Sequence, residues 1–159
     1  MGFVRSAIVM VAVLSIALLS SIGARAQIPP PKREAELVAA GYKRVSGQEI
    51  SALALGNTQY VVFLNSEDGA RPGDIIRIYY PDARTRIVIP PRGEMMGRRV
   101  ELNWWMDGDL QCVENKFVNV GHACYSYYDA GSAYYACLQP DRRCFYLVRF
   151  VRGNPENIQ

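Results

Sequence analysis

The residues most able to do chemistry in this sequence are a single histidine and four cysteines. His122 stands two residues before Cys124, close enough in sequence for an imidazole to activate a thiolate nucleophile. An even cysteine count in a chain with an export signal instead favours disulfide bonds. A lone histidine also cannot complete a zinc site without further ligands at suitable spacing. We therefore expect no cysteine nucleophile, no metal site and no cofactor.

Serine and carboxylate chemistry have equally little support. Ser132 lacks the Gly-x-Ser-x-Gly elbow and lies in a predicted hairpin turn. Two carboxylates of one predicted hairpin could form an acid–base pair, as in a hydrolase of envelope polysaccharide. The candidates are Glu101, Asp107, Asp109 and Glu114. Solvated surface is the favoured interpretation, because the turn uses Asp107 and Glu101 is expected to point outward. No glycine-rich loop precedes a helix, so nucleotide binding is not indicated.

The cysteines fall on four consecutive predicted strands, at Cys112, Cys124, Cys137 and Cys144. If they form one row across a sheet, neighbouring cysteines are about 4.8 Å apart and next-nearest ones roughly 10 Å apart. A disulfide needs Cα atoms within about 7 Å, which excludes the pairing of alternate cysteines. Pairing the two middle ones would leave the outer two three strands apart. The predicted disulfides are therefore Cys112–Cys124 and Cys137–Cys144.

Strand registers follow from the alternation of polar and apolar residues. Around Asp107-Gly108 a bulged hairpin that pairs Trp104 with Leu110 gives the cleaner apolar face. A hairpin that pairs Tyr128 with Ala133 places Cys124 opposite Cys137. A third hairpin, pairing Tyr80 with Thr85, puts Arg86 opposite Tyr79 on the face away from the isoleucines, in position for a cation–π contact.

Residues 1–26 have the organisation of a secretory signal peptide. Arg5 supplies the basic start, an apolar run spans Ala7 to Leu19, and Ala24-Arg25-Ala26 fits the small-x-small cleavage rule. That run is short for a membrane span, which needs about 20 residues. Cleavage removes two of the 18 basic residues and leaves 16 against 15 acidic ones, which argues against a nucleic-acid partner. We expect a periplasmic or secreted protein without a membrane span.

The mature chain predicts one mainly β domain at residues 33–153, after a proline-rich linker at 27–32 and before a flexible tail at 154–159. One short helix is expected from Lys32 to Ala40. Ser46 and Glu49 form a capping box for a second helix, whose apolar stripe should lie on the sheet or close a barrel end. About seven strands follow as an antiparallel meander, which tends to close into a barrel or rolled sheet. A β-sandwich is the alternative.

Aromatic side chains occupy both faces of the last strands. The face opposite the cysteines is expected to carry Tyr125, Tyr127, Tyr134, Phe145 and Leu147. The cysteine face is expected to carry Tyr128, Tyr135, Tyr146 and Val148. One face is the interior, and the second is either covered by the capped helix or forms a binding patch beside arginine. The candidate binding residues are Trp104, Tyr125, Tyr127, Tyr128 and Arg149.

The order of these motifs resembles a group of small exported bacterial proteins of unknown function, many of them from alphaproteobacteria. In that group a capped helix runs into Gly-Asn-Thr and precedes a meander with a Trp…Asp-Gly…Cys…Cys-Tyr pattern. The matching residues are Ser46 to Ile50, Gly56-Asn57-Thr58, Trp104, Asp107-Gly108, Cys112 and Cys124-Tyr125. The resemblance spans Ser46 to about Arg152 and implies a structural pattern without an activity. Cys137 and Cys144 lie outside the pattern.

Together these features predict a non-catalytic binding module. Its ligand would be a small apolar molecule in the barrel mouth, or a protein surface met by the tyrosine face, in which case the module could inhibit an enzyme. Exposed Tyr125 and Tyr127 would favour the protein partner, and a pocket lined by Trp104 and Tyr128 the small ligand. The alternatives are a polysaccharide hydrolase that uses carboxylates and a structural envelope protein.

Overall fold

The computed structural model describes residues 29–30, 32–66, 70–91, 96–114 and 121–158. The predicted signal peptide and most of the proline-rich linker lie outside these residues. The elements, in chain order, are β1 (Lys32–Arg33), α1 (Glu34–Ala39), β2 (Lys43–Arg44), α2 (Gly47–Ala54), β3 (Thr58–Phe63), β4 (Ile75–Tyr79), β5 (Thr85–Ile89), β6 (Val100–Asp107), β7 (Leu110–Glu114), β8 (His122–Asp129), β9 (Tyr134–Gln139) and β10 (Arg143–Val151).

Strands β3 to β10 form an antiparallel barrel in which each strand pairs with the next one along the chain. The barrel closes where β10 returns to β3, from Tyr146 opposite Phe63 to Val151 opposite Thr58. Closure leaves the eight strands without a free edge. The expected mainly β fold is confirmed, in its barrel form. Strands β1 and β2 add short pairings to β10 and β8.

Helix α2 closes one end of the barrel, as its apolar stripe predicts. The capping box is formed, with the Ser46 hydroxyl accepting from the Glu49 amide and the Glu49 carboxylate accepting from the Ser46 amide. Ile50 and Ala54 are fully buried in the main core. The Gly47 amide donates to Asp109 Oδ1 at 2.8 Å, which holds the first turn of the helix against the β6–β7 turn.

Helix α1 covers the outer wall of the last strands. Leu37 is fully buried in a second apolar cluster with Tyr128, Tyr135, Cys137 and Cys144. Both faces of these strands are apolar because one lines the barrel interior and the other packs against α1. The suggestion that the capped helix covers the second face is wrong, since that helix closes the barrel end instead.

Both disulfides predicted from the cysteine spacing are present on the outer wall. Cys112 and Cys124 face each other across β7 and β8, with their sulfurs 2.03 Å apart. Cys137 bonds Cys144 across β9 and β10. However, Cys124 lies opposite Gln139, not opposite Cys137 as expected. The β8–β9 turn is centred one residue further along the chain, because the Asp129 carboxylate accepts from the Gly131 amide.

The predicted register of the β6–β7 hairpin is wrong by three positions. Asp107 pairs with Leu110, which leaves a two-residue turn and sets Trp104 opposite Val113. Gly108 has a φ of +57°, the left-handed conformation that such turns require. The contact between Asp109 and α2, which local patterning does not contain, favours this turn. Trp104 still points inward and Trp105 outward.

The β4–β5 hairpin is shifted by one residue from its prediction, and this reverses the direction of Arg86. Ile78 pairs with Val88, and on the other side Arg86 pairs with the buried Leu102 of β6. Residues directly opposite in a sheet share a face, so Arg86 points into the barrel and not toward Tyr79. The turn is longer than expected because Asp82 Oδ1 accepts from the amides of both Arg84 and Thr85.

The faces predicted for Tyr146 and Val148, near the end of the chain, are wrong. A β-bulge between Cys144 and Tyr146 leaves Phe145 unpaired with β9, so Tyr146 and Val148 face the interior although Cys144 faces outward. In the segment predicted to be a flexible tail, Ile158 is 1% exposed and exchanges hydrogen bonds with Asn154. Glu156 binds both Arg77 and Tyr60 on the outer wall.

Candidate binding site in the barrel interior

A ring of four buried polar side chains crosses the middle of the barrel. The Tyr80 hydroxyl donates to Gln59 Oε1 at 2.5 Å, and Gln59 Nε2 donates to the Tyr127 hydroxyl at 3.0 Å. Tyr127 donates to Gln111 Oε1 at 2.5 Å, and Gln111 Nε2 returns to the Tyr80 hydroxyl at 3.3 Å. Within the ring, each hydroxyl therefore donates once and accepts once. Such a closed network lets polar groups lie in a core without an unsatisfied atom.

The ring is built to remain neutral. All four side chains are at most 3% exposed. Burial raises the pKa of Tyr80 to about 12, although the nearby charge of Arg86 offsets part of the rise. Burial also raises the pKa of Tyr127 well above its ordinary value. The hydroxyls therefore stay protonated at neutral pH and keep their donor roles.

Arg86 brings a positive charge to the same interior. Its Nη2 donates to the Glu114 carbonyl oxygen at 2.9 Å, at the end of β7 that is remote from α2. Its Nε atom is buried and has no hydrogen-bond partner. Among the described residues no carboxylate forms an ion pair with Arg86. Arg86 as a whole is partly buried, and a charge held inside a protein is normally paired with an opposite charge.

Aromatic rings line the interior at the end opposite α2. Phe63, at the end of β3, packs edge-on against Tyr146, with ring centroids 5.2 Å apart. Tyr146 in turn packs against Tyr125 at 5.8 Å. Both tyrosines face the interior yet are only partly buried, unlike the buried ring tyrosines. Solvent therefore reaches inward-facing rings at this end of the barrel, the open end.

The five predicted binding residues do not form one site. Trp104 is buried inside, 5.0 Å from the Tyr80 ring, and its indole donates to the Asp82 carbonyl. Tyr128 lies on the outer wall under α1, so Trp104 and Tyr128 do not line the common pocket that would have favoured a small ligand. Tyr127 belongs to the polar ring and Tyr125 to the open end. Arg149 is exposed outside.

The sequence analysis did not identify the residues that make the barrel interior polar and charged. Gln59 and Gln111 occupy inward-facing positions of their strands. A polar residue at a position where the alternation predicts an apolar one is a signal that the sequence contains. Arg86 was assigned to the wrong face by a one-residue register error. Glu34 carried no signal at all, since its partners come from distant strands.

Glu34 anchors α1 to the outer wall through a cluster of hydrogen bonds. Its Oε1 accepts from the Tyr128 hydroxyl at 2.8 Å and the Ser126 hydroxyl at 2.9 Å, and Gln139 is a third donor. Burial by itself would raise the pKa of Glu34, but these hydrogen bonds and the charge of Arg142 hold it below the ordinary value. The carboxylate is thus stabilised in its ionised form.

We expect Glu34→Gln to lower the free energy of unfolding by about 1–2 kcal/mol at pH 7, because charge-assisted hydrogen bonds are lost. The folded pKa is depressed, so this stability is fully present above the unfolded pKa of about 4.3 and is lost as the pH falls through the folded pKa. Urea unfolding at several pH values measures the difference. Glu36→Gln, at an exposed position of the same helix, is the control. A pH-independent difference would contradict the assignment.

The candidates for catalysis remain dispersed on the outside. His122 is exposed beside Trp105, with ring centroids 5.9 Å apart, and all four cysteines are in disulfides. Glu101 is exposed on the outer face of β6, and the Glu114 carboxylate accepts from Asn103. Within the described ranges, no group of three or more acidic, histidine or cysteine side chains is placed to hold a metal ion.

Comparison with known proteins adds nothing to this description, since no family model, curated protein or solved structure matches the chain. Among the helices that the structure describes, none is both long and apolar enough to cross a membrane.

Proposed function

We propose that the chain is an exported, non-catalytic binding module that holds a small apolar molecule in the open end of its barrel. The observation that carries the proposal is the partial exposure of Tyr125 and Tyr146, which face the interior. Inward-facing aromatic rings that solvent can reach are typical of ligand sites in barrel mouths. Helix α2 blocks the opposite end, so entry is from one side.

Several features support this class of protein. A closed barrel has no free strand edge, so its walls are not available for strand addition. The two disulfides hold neighbouring strands together and support export, because such bonds persist in oxidising compartments. In this proposal the chain belongs with the small exported bacterial proteins whose motif order it resembles, in the periplasm or outside the cell.

Binding of a protein by the tyrosine face has less support than binding of a small ligand. Tyr127 is 3% exposed and fixed in the polar ring, and Tyr125 faces the interior. Neither presents its ring on the outer wall. The carboxylate hydrolase also lacks support, because Glu101 and Glu114 lie on the convex outer face of the barrel and not in a cleft.

Native mass spectrometry on the full chain, purified gently from an exporting cell, tests the proposal. We expect an extra mass that disappears on denaturation. A neutral fluorescent probe, N-phenyl-1-naphthylamine, should also bind the emptied protein with increased emission. Ala123→Phe, an inward substitution at the open end, should reduce probe affinity by about tenfold or more, as filling a pocket excludes its occupant.

Ala35→Phe is the matched control, because Ala35 is exposed on α1 outside the barrel. It adds the same ring and should leave probe affinity unchanged. A chain that carries no extra mass and binds no probe, with circular dichroism showing it folded, would overturn the proposed function. So would equal binding by both variants and the wild type.

A further inference from the structure

We infer that the molecule held in the open end is an apolar monocarboxylic acid whose carboxylate binds Arg86, an inference that rests on the proposed function. Arg86 is the inward-facing cation of the described interior, and its register fixes that direction. Three observations define the ligand class: the guanidinium has an unpaired donor, aromatic rings lie beside it, and its single positive charge can neutralise one negative charge.

The guanidinium retains donor capacity inside the barrel. An arginine has five N–H groups in a planar fork. Nη2 uses one on the Glu114 carbonyl, and the buried Nε–H has no partner. A buried donor without a partner destabilises the protein, and more so when the group is charged. A planar two-oxygen anion meets this fork through two parallel hydrogen bonds.

The polar ring cannot replace such an anion. Its hydroxyls and amides are neutral and bonded to one another, and the Tyr80 hydroxyl, which also interacts with Arg86, supplies no negative charge to the guanidinium. Arg86 lies opposite the interior residue Leu102 and interacts with the Tyr80 hydroxyl, so the guanidinium borders the ring. A ligand entering from the open end therefore meets the guanidinium where the ring begins.

The residues around Arg86 determine the apolar body and the net charge of the ligand. Tyr125 and Tyr146 are partly exposed at the open end, where an apolar body can pack against them, and Phe63 is buried beside Tyr146. One guanidinium neutralises one negative charge. A phosphate monoester carries nearly two at pH 7, which would leave an uncompensated charge in the barrel. A monocarboxylate matches both the charge and the geometry of the fork.

Decanoate and 1-decanol test the inference, because they share a tail and differ at the head. Each is titrated at pH 7.5 against the full mature chain loaded with N-phenyl-1-naphthylamine, and displacement gives the affinity. We expect decanoate to bind at least about tenfold more tightly than decanol. Arg86→Gln should weaken decanoate by roughly 10- to 100-fold and leave decanol within about threefold. Arg149→Gln, at an exposed arginine of the outer wall, should change neither.

The outcomes separate the two proposals. If neither compound binds, the proposed function fails. If both bind equally, or if folded Arg86→Gln keeps the preference for decanoate, only the present inference fails. Should Arg86→Gln not fold, the wild type decides alone: its preference must vanish as the pH falls below roughly 4–5, where the acid becomes neutral. A preference that persists at low pH overturns the inference.

Discussion

Replacement of Gly47 by alanine is expected to lower the free energy of unfolding by roughly 2–4 kcal/mol. A Cβ atom at this position would lie 2.1 Å from the Gly108 carbonyl oxygen, which is backbone and cannot rotate away. Helix α2 would have to move off the β6–β7 turn and lose the hydrogen bond from Gly47 to Asp109. Urea unfolding followed by circular dichroism measures the loss.

The expected destabilisation by Gly47→Ala is opposite in sign to the change that helix propensity predicts. Alanine is favoured over glycine in a helix by about 1 kcal/mol, and it also reduces the entropy of the unfolded chain, so local rules predict stabilisation. Gln48→Ala is the control, because Gln48 is the exposed neighbour in the same turn of α2. It should change stability by less than about 0.5 kcal/mol. A Gly47→Ala variant at least as stable as the wild type would show that α2 does not seal the barrel in this way.

Tyr127→Phe is expected to cost roughly 2–4 kcal/mol, although it removes a single oxygen atom. The hydroxyl donates to Gln111 and accepts from Gln59, so its loss leaves two amide groups buried without those partners. Tyr79→Phe, on the outward-facing side of β4, is the matched control and should cost little. Equal stability of the two variants would mean that the ring is not a stabilising unit.

The ring also predicts an alkaline limit to stability. The folded pKa of Tyr80 is raised to about 12, above the unfolded value of about 10. Its contribution is therefore fully present below pH 10 and is lost as the pH rises toward the folded pKa, because only the unfolded chain can ionise there. We expect the free energy of unfolding, measured by urea titration, to fall less steeply between pH 10 and 12 for Tyr80→Phe than for the wild type. An unchanged slope would contradict the assignment.

Sequence patterns predicted those features that depend on a few neighbouring residues. The capping box at Ser46 and Glu49 needs only four positions, and the structure forms it. The disulfide pairs depend on which strands are neighbours, so they were predicted correctly even though the β8–β9 register was wrong. Neighbouring strands were identifiable because all but one of the barrel pairings join consecutive strands.

The interior could not be predicted because it depends on the length of each turn. Asp82 lengthens the β4–β5 turn by one residue, and with a side-chain period of two this shift turns Arg86 from the outer wall to the interior. The bulge at Phe145 moves Tyr146 inward by the same mechanism. The partners of Glu34 come from distant parts of the chain, which local patterns do not contain.

The two disulfides lie in one half of the barrel, and this has a consequence for how the chain folds. Each joins consecutive strands, β7 to β8 and β9 to β10. In an oxidised unfolded chain the disulfides therefore hold the two strands of each hairpin close to their native alignment. The pairing of β10 with β3 brings together segments far apart in sequence and carries the largest loop-closure entropy. We therefore expect the C-terminal hairpins to form first, the β3–β10 seam to close late, and hydrogen exchange during refolding to protect β8 before β3.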